Sequence, residues 1–171
     1  MGVDVIDLGA QSTRPGADEI GSALEIERLI PTLREVRKRF PNIIISVDTF
    51  NSDVAFQALL NGANWINDVT GGRRDEEIYS VVSKFDCPFV ITHSKGNSQT
   101  MSNLTSYQNL IEDIIDSLKI LIEKAASKGV NMNKLILTMI FILRKEMQLL
   151  CHKTCFIFRK ILLITSTILT C

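Results

Sequence analysis

Short apolar, β-branched runs separated by helix-period segments constrain this chain more than any other feature. Val3 to Leu8, Ile43 to Val47, Ala63 to Asn67, Phe89 to Thr92 and Lys134 to Leu137 read as strands. Between them Ser22 to Phe40, a helix capped near Asn51 or Ser52 and ended by Gly62, Glu76 to Phe85, and Leu110 to Ser127 carry helical stripes. Ser22-Ala23-Leu24-Glu25 has the form of a capping box, and Pro31 predicts a kink or a pair of abutting helices. Strands apolar throughout and alternating with helices imply a parallel sheet covered by helices, in a doubly wound fold or a barrel.

The polar residues choose between these. Ser12, Thr13 and Arg14 follow the first strand, Asp48 and Thr49 the second, Asn67 and Asp68 the third, His93 and Lys95 the fourth. Chemistry at successive strand ends is the habit of the (β/α)8 barrel, whereas an open doubly wound sheet concentrates it at one switch point. The expected fold is therefore α/β, a portion of a TIM barrel followed by an atypical tail.

Asp7-Leu8-Gly9-Ala10-Gln11-Ser12-Thr13-Arg14-Pro15-Gly16 is the most specific stretch. It joins a strand to a loop with flanking glycines, a hydroxyl pair and a guanidinium, groups suited to phosphate oxygens. A polar surface loop is the alternative. Asp48, at the mouth of an apolar wall, needs donors to offset desolvation, and a pterin edge supplies two N–H groups at carboxylate spacing. Asn67 adds a donor and an acceptor. A helix cap for Asp48 and an Asx turn for Asn67 are the competing readings.

Composition narrows the partners. With 19 basic and 19 acidic residues in 171, no field draws nucleic acid, and small molecules are the expected ligands. Four cysteines at irregular spacing fit a reducing compartment. Cys151-His152 with Cys155 lacks a second ligand cluster, so no residue is assigned to a metal. The apolar run from Ile161 is too short for a membrane span, though it could form an aggregation-prone strand.

In order and spacing, Ile6 to Gly16, Ile45-Ser46-Val47-Asp48-Thr49, Ile66-Asn67-Asp68-Val69 and His93-Ser94-Lys95-Gly96 resemble dihydropteroate synthase, a pterin-binding barrel family. The resemblance covers about residues 1–137 and implies strands 2–5 and the start of strand 6 of the family's barrel. It implies condensation of 6-hydroxymethyl-7,8-dihydropterin diphosphate with p-aminobenzoate to give 7,8-dihydropteroate and pyrophosphate. Arg14 and Asp48 would be catalytic, Thr13 and Arg14 would contact diphosphate, and Asp48, Asn67 and His93 would line the pterin site. The resemblance also implies Mg2+, a homodimer in the complete protein, and a cytoplasmic or mitochondrial setting. Ser94 stands where the family has Met.

The family's metal-loop strand, its Asp-Pro-Gly turn and its later lysine and arginine motifs find no match here. Residues 138–171 contain no Gly or Pro and one acidic residue, Glu146. They are expected to be an aberrant translation product, and the chain is expected to be inactive alone and doubtful as an isolated folding unit. A non-catalytic interaction product is the contrasting reading. A folate-binding methyltransfer domain is a further one, opposed by the Ser12 to Gly16 loop.

Overall fold

The computed structural model describes residues 3–12, 18–93, 110–139 and 161–165. Its elements in chain order are β1 (Val5–Gly9), α1 (Ser22–Arg39), β2 (Ile44–Asp48), α2 (Ser52–Leu60), β3 (Trp65–Asp68), α3 (Glu77–Phe85), β4 (Phe89–His93), α4 (Leu110–Ser127), β5 (Leu135–Met139) and β6 (Ile161–Thr165). All strand pairings are parallel, and the sheet runs β5-β4-β3-β2-β1-β6.

Two facts separate a barrel wall from a doubly wound sheet. Strands β1 to β5 lie in sequence order with no reversal among them, as in a barrel wall, and the order breaks only where β6 lies beside β1. The described helices also pack on one face. Leu29 and Leu33 of α1, Val54, Ala55 and Ala58 of α2, Ile78 and Val82 of α3, and Leu121 and Ala125 of α4 form a single core with Leu8, Ile45, Val47, Ile66, Phe89 and Ile91. Register places Leu8 beside Val47, Val47 beside Ile66 and Ile66 beside Phe89, so one side of each strand supplies that core.

Several local expectations change. The capping box does not form: Gly21 is the N-cap of α1, without a side-chain cap, and Glu25 turns elsewhere. Pro31 lies inside one continuous helix rather than between two. Strands β2, β3 and β4 extend through Asp48, Asp68 and His93, because ladder pairing continues past the apolar run. The tail contributes β6, whose backbone pairs with β1 from Val5↔Ile161 to Gly9↔Thr165. That edge position makes a sixth strand where the sequence suggested five.

Candidate active site

The face opposite the helices carries Asp7, Ser46, Asp48 and Asn67. Pairing aligns Gly9, Asp48, Asn67 and Val90 in one row, with Asp7, Ser46 and Trp65 in the row beneath. The upper row is half-buried at Gly9, Asp48 and Asn67, while Asp7 and Ser46 below are buried. Gly9 keeps the space beside Asp48 narrow but clear: a Cβ there would lie 3.4 Å from the Asp48 Cβ. A carboxylate and an amide thus stand side by side at the strand ends, above a second carboxylate.

Hydrogen bonding links the layers. Asn67 Nδ2 donates to Asp7 Oδ2 at 3.2 Å, crossing the intervening strand β2. Burial raises the Asp7 carboxyl above its usual range, while hydrogen bonds from Ser46 and Asn67 pull it back. Asp48 Oδ1 is enclosed and has no hydrogen-bond partner among the described residues. Burial first, then the neighbouring charges of Asp7, Asp68 and Glu25, push Asp48 up to about 8. Its carboxyl therefore holds a proton at neutral pH until donors arrive to stabilise the anion.

Around this pair, each loop is fixed to its neighbour. Glu25, buried in the first turn of α1, accepts from Asn51 Nδ2 at 2.6 Å and so ties α1 to the β2–α2 loop. Asp75 Oδ2 accepts from the Ser52 N–H at 2.7 Å, which joins the β3–α3 loop to the start of α2. Asp68, on the helix side of β3, closes its own turn: Oδ1 accepts from the Thr70 N–H and hydroxyl at 2.7 and 2.8 Å, and Oδ2 from the Gly72 N–H at 2.6 Å. Gly72 has φ +80, and a Cβ there would lie 2.4 Å from Tyr79 Cζ. Tyr79 in turn donates to the Gly71 carbonyl at 2.6 Å. A mouth held this way presents its side chains in one geometry.

Of the residues expected at the site, Asp48 and Asn67 are brought together. His93 is buried and, by strand alternation, lies on the side of Phe89 and Ile91, facing the helices rather than the Asp48–Asn67 row. Thr13 and Arg14 lie outside the described residues, as do Ser94 and Lys95. Asp7 and Glu25 went unassigned. For Asp7 the available signal was a charge in an otherwise apolar strand, sharing strand parity with Gly9. Glu25 carried none, since its partner is remote in sequence. The described residues contain no group of three or more His, Cys, Asp or Glu side chains able to hold a metal ion. They contain no helix long and apolar enough to cross a membrane.

Comparison with known proteins identifies the family. Residues 1–151 match the family described as pterin binding enzyme. The chain is 45% identical over 133 residues to a folate synthesis bifunctional protein of Arabidopsis thaliana, covering 75% of this chain and 28% of that protein. It is 39% identical over 136 residues to a dihydropteroate synthase of Synechocystis, covering 80% of this chain and 47% of that one. This chain therefore spans less than half the length of either relative. Among solved structures, the Yersinia pestis dihydropteroate synthase in complex with a sulfonamide drug superposes with a TM-score of 0.81 at 29% identity, covering 96% of this chain and 60% of that one. A Clostridium difficile dihydropteroate synthase crystallised with pteroic acid gives 0.72 at 39% identity, covering 80% and 49%. By sequence and by fold, this chain belongs to the pterin binding enzyme family, and the Synechocystis, Yersinia pestis and Clostridium difficile proteins it resembles are dihydropteroate synthases.

Proposed function

We propose that this chain carries the pterin-holding part of a dihydropteroate synthase, whose reaction joins 6-hydroxymethyl-7,8-dihydropterin diphosphate to p-aminobenzoate. The observation that carries the reading is the pairing of Asp48 with Asn67 at the strand ends, with Asp48 Oδ1 enclosed and lacking a hydrogen-bond partner among the described residues. An enclosed acceptor of this kind is unfavourable unless a ligand brings donors to it. A pterin edge brings an N–H beside an amine.

In the reaction the aniline nitrogen attacks the methylene carbon, the bond from that carbon to the diphosphate oxygen breaks, and pyrophosphate leaves with the electron pair. The aniline proton passes to solvent. Asp48 and Asn67 would hold the ring flat, and Asp48, ionised once ring donors reach it, would stabilise the positive charge the ring gains as the leaving group departs. Arg14 would neutralise the diphosphate, with Thr13 beside it. The magnesium implied by the family finds no ligand set among the described residues, and none of these steps uses it. Action in the cytoplasm or a mitochondrion is part of the same proposal, as is a homodimer of the complete protein.

The isolated 171-residue chain should bind 6-hydroxymethylpterin without turning over the diphosphate, because the six described strands do not close an eight-strand barrel. Calorimetric titration with the pterin, followed by a pyrophosphate-release assay with both substrates, tests both halves. Failure to bind pterin overturns the reading of the site. Release above the no-protein control overturns the claim of inactivity and, with it, the view of the chain as a non-catalytic part.

A further inference from the structure

Among the described residues, Asp7 is the one buried carboxylate on the helix-free face that touches a proposed ligand-holding residue without standing in the ligand row itself. Its contact has a directional consequence. An amide side chain can present its oxygen or its nitrogen, and only a fixed neighbour decides which. Asp7 Oδ2 accepts one of the two Asn67 N–H groups at 3.2 Å. A carboxylate cannot accept from the amide oxygen, so the contact pins Nδ2 toward β1 and leaves Asn67 Oδ1 and the second N–H in one order for a ligand.

We infer that Asp7 is a positioning residue that fixes the orientation of the Asn67 amide and thereby the donor–acceptor order of the ring edge this site accepts. The inference rests on the pterin reading above and deepens it. The ligand class is a flat heterocycle whose edge carries an exocyclic amine beside a ring nitrogen acceptor. The 2,4-dioxo analogue of the pterin, which presents a carbonyl beside a ring N–H, has the order reversed and is rejected. Asp7 does this without touching the ring, from the buried row below it.

The test is a selectivity ratio rather than an affinity. Wild-type chain, Asp7→Asn and Asp7→Val are each titrated by calorimetry with 6-hydroxymethylpterin and with its 2,4-dioxo analogue. Valine keeps the size and strand preference of the site but offers no acceptor, which frees the amide to turn. The wild-type preference for the pterin should fall about tenfold in Asp7→Val, to the residual preference that Asp48 alone imposes through the amine. In Asp7→Asn, whose amide can accept from Asn67 or, turned over, donate to its Oδ1, the preference should fall to a value between those of wild type and Asp7→Val. Should Asp7→Val not fold, as judged by circular dichroism, Asp7→Ser gives the same comparison, because its hydroxyl is too short to reach the amide.

Equal weakening of both ligands in the valine or serine variant overturns the inference, since a merely structural carboxylate would lower both alike. Selectivity lower in Asp7→Asn than in Asp7→Val overturns it as well. If the wild-type chain binds neither compound, the pterin reading itself fails and the inference falls with it. If the wild type binds the pterin but shows no preference over the analogue, the pterin reading stands and the role of Asp7 does not.

Discussion

Replacing Asp48 by Asn separates two things that one carboxyl combines, ligand recognition and sensitivity to alkali. Its raised value, about 8, means that the folded chain holds this proton where the unfolded chain has lost it. The stabilisation is complete below the ordinary carboxylate range and is lost as pH rises through about 8. Asp48→Asn should therefore flatten the fall in stability between pH 6 and 9. Because the residue is half-buried, the difference should be about 1 kcal/mol, well under the full linkage value. Urea titrations of both proteins at the two pH values measure it. The same variant should bind pterin about tenfold or more weakly, because an acceptor facing ring donors is half replaced by an amine. Arg14 adds a second contrast at this scale. Arg14→Ala should weaken binding of the pterin diphosphate about tenfold or more while leaving the phosphate-free pterin nearly unchanged. Comparing the two ligands by calorimetry decides it, and equal losses would make Arg14 structural.

At the scale of elements, the ends of the strands divide the labour. The C-terminal ends carry the proposed site, and the N-terminal ends carry a clamp in which Arg37 of α1 reaches under β2 and β3. Its guanidinium donates to the carbonyls of Pro41 at 2.8 Å, Ile43 at 2.7 Å and Gly62 at 2.8 Å, and to Asn64 Oδ1 at 2.6 Å. Asn64 Oδ1 also accepts from the Ile45 N–H at 2.9 Å. Arg37→Met should cost about 2–3 kcal/mol in urea titration, with pterin affinity unchanged. Gly72→Ala should cost a similar ~2–3 kcal/mol, since a side chain there is strained at φ +80 and would overlap the Tyr79 ring. Its measured loss should be accompanied by weaker ligand binding, because the Asp68 turn borders the site.

Helix and strand identities were legible because periodicity and β-branched runs are local properties, and α4 falls at Leu110–Ser127 as its stripe predicts. What could not be read were partners set by packing. Ser22-x-x-Glu25 carries a local capping pattern, yet Glu25 is drawn to Asn51 once α1 and α2 pack together. Asp48 and Asn67 were legible as strand-end residues, but their adjacency, and the reach of Asn67 to Asp7, depend on register between strands. The helix-facing side of His93 was accessible in principle from alternation with Phe89 and Ile91, but the resemblance drew attention to its place in the motif instead.

For the whole molecule, the parallel sheet in sequence order means that each new strand can be added beside the one just made, with the intervening helix laid over the same face. The single exception is the pairing of Val5 to Gly9 with Ile161 to Thr165, which joins the beginning of the described chain to its end. Closing so long a loop is entropically the least favourable step, so this pairing should form last and open first. Amide hydrogen exchange should show Ile45, Val47 and Ile66 among the slowest sites, with the β6 amides exchanging ahead of them. During synthesis on a ribosome, the described wall from β1 to β5 then assembles progressively as it emerges, and β6 reaches β1 only after all of that wall has been made. Until β6 pairs, the β6-facing edge of β1 is a place where another strand could add, so a chaperone acting in that interval would shield this edge rather than the core.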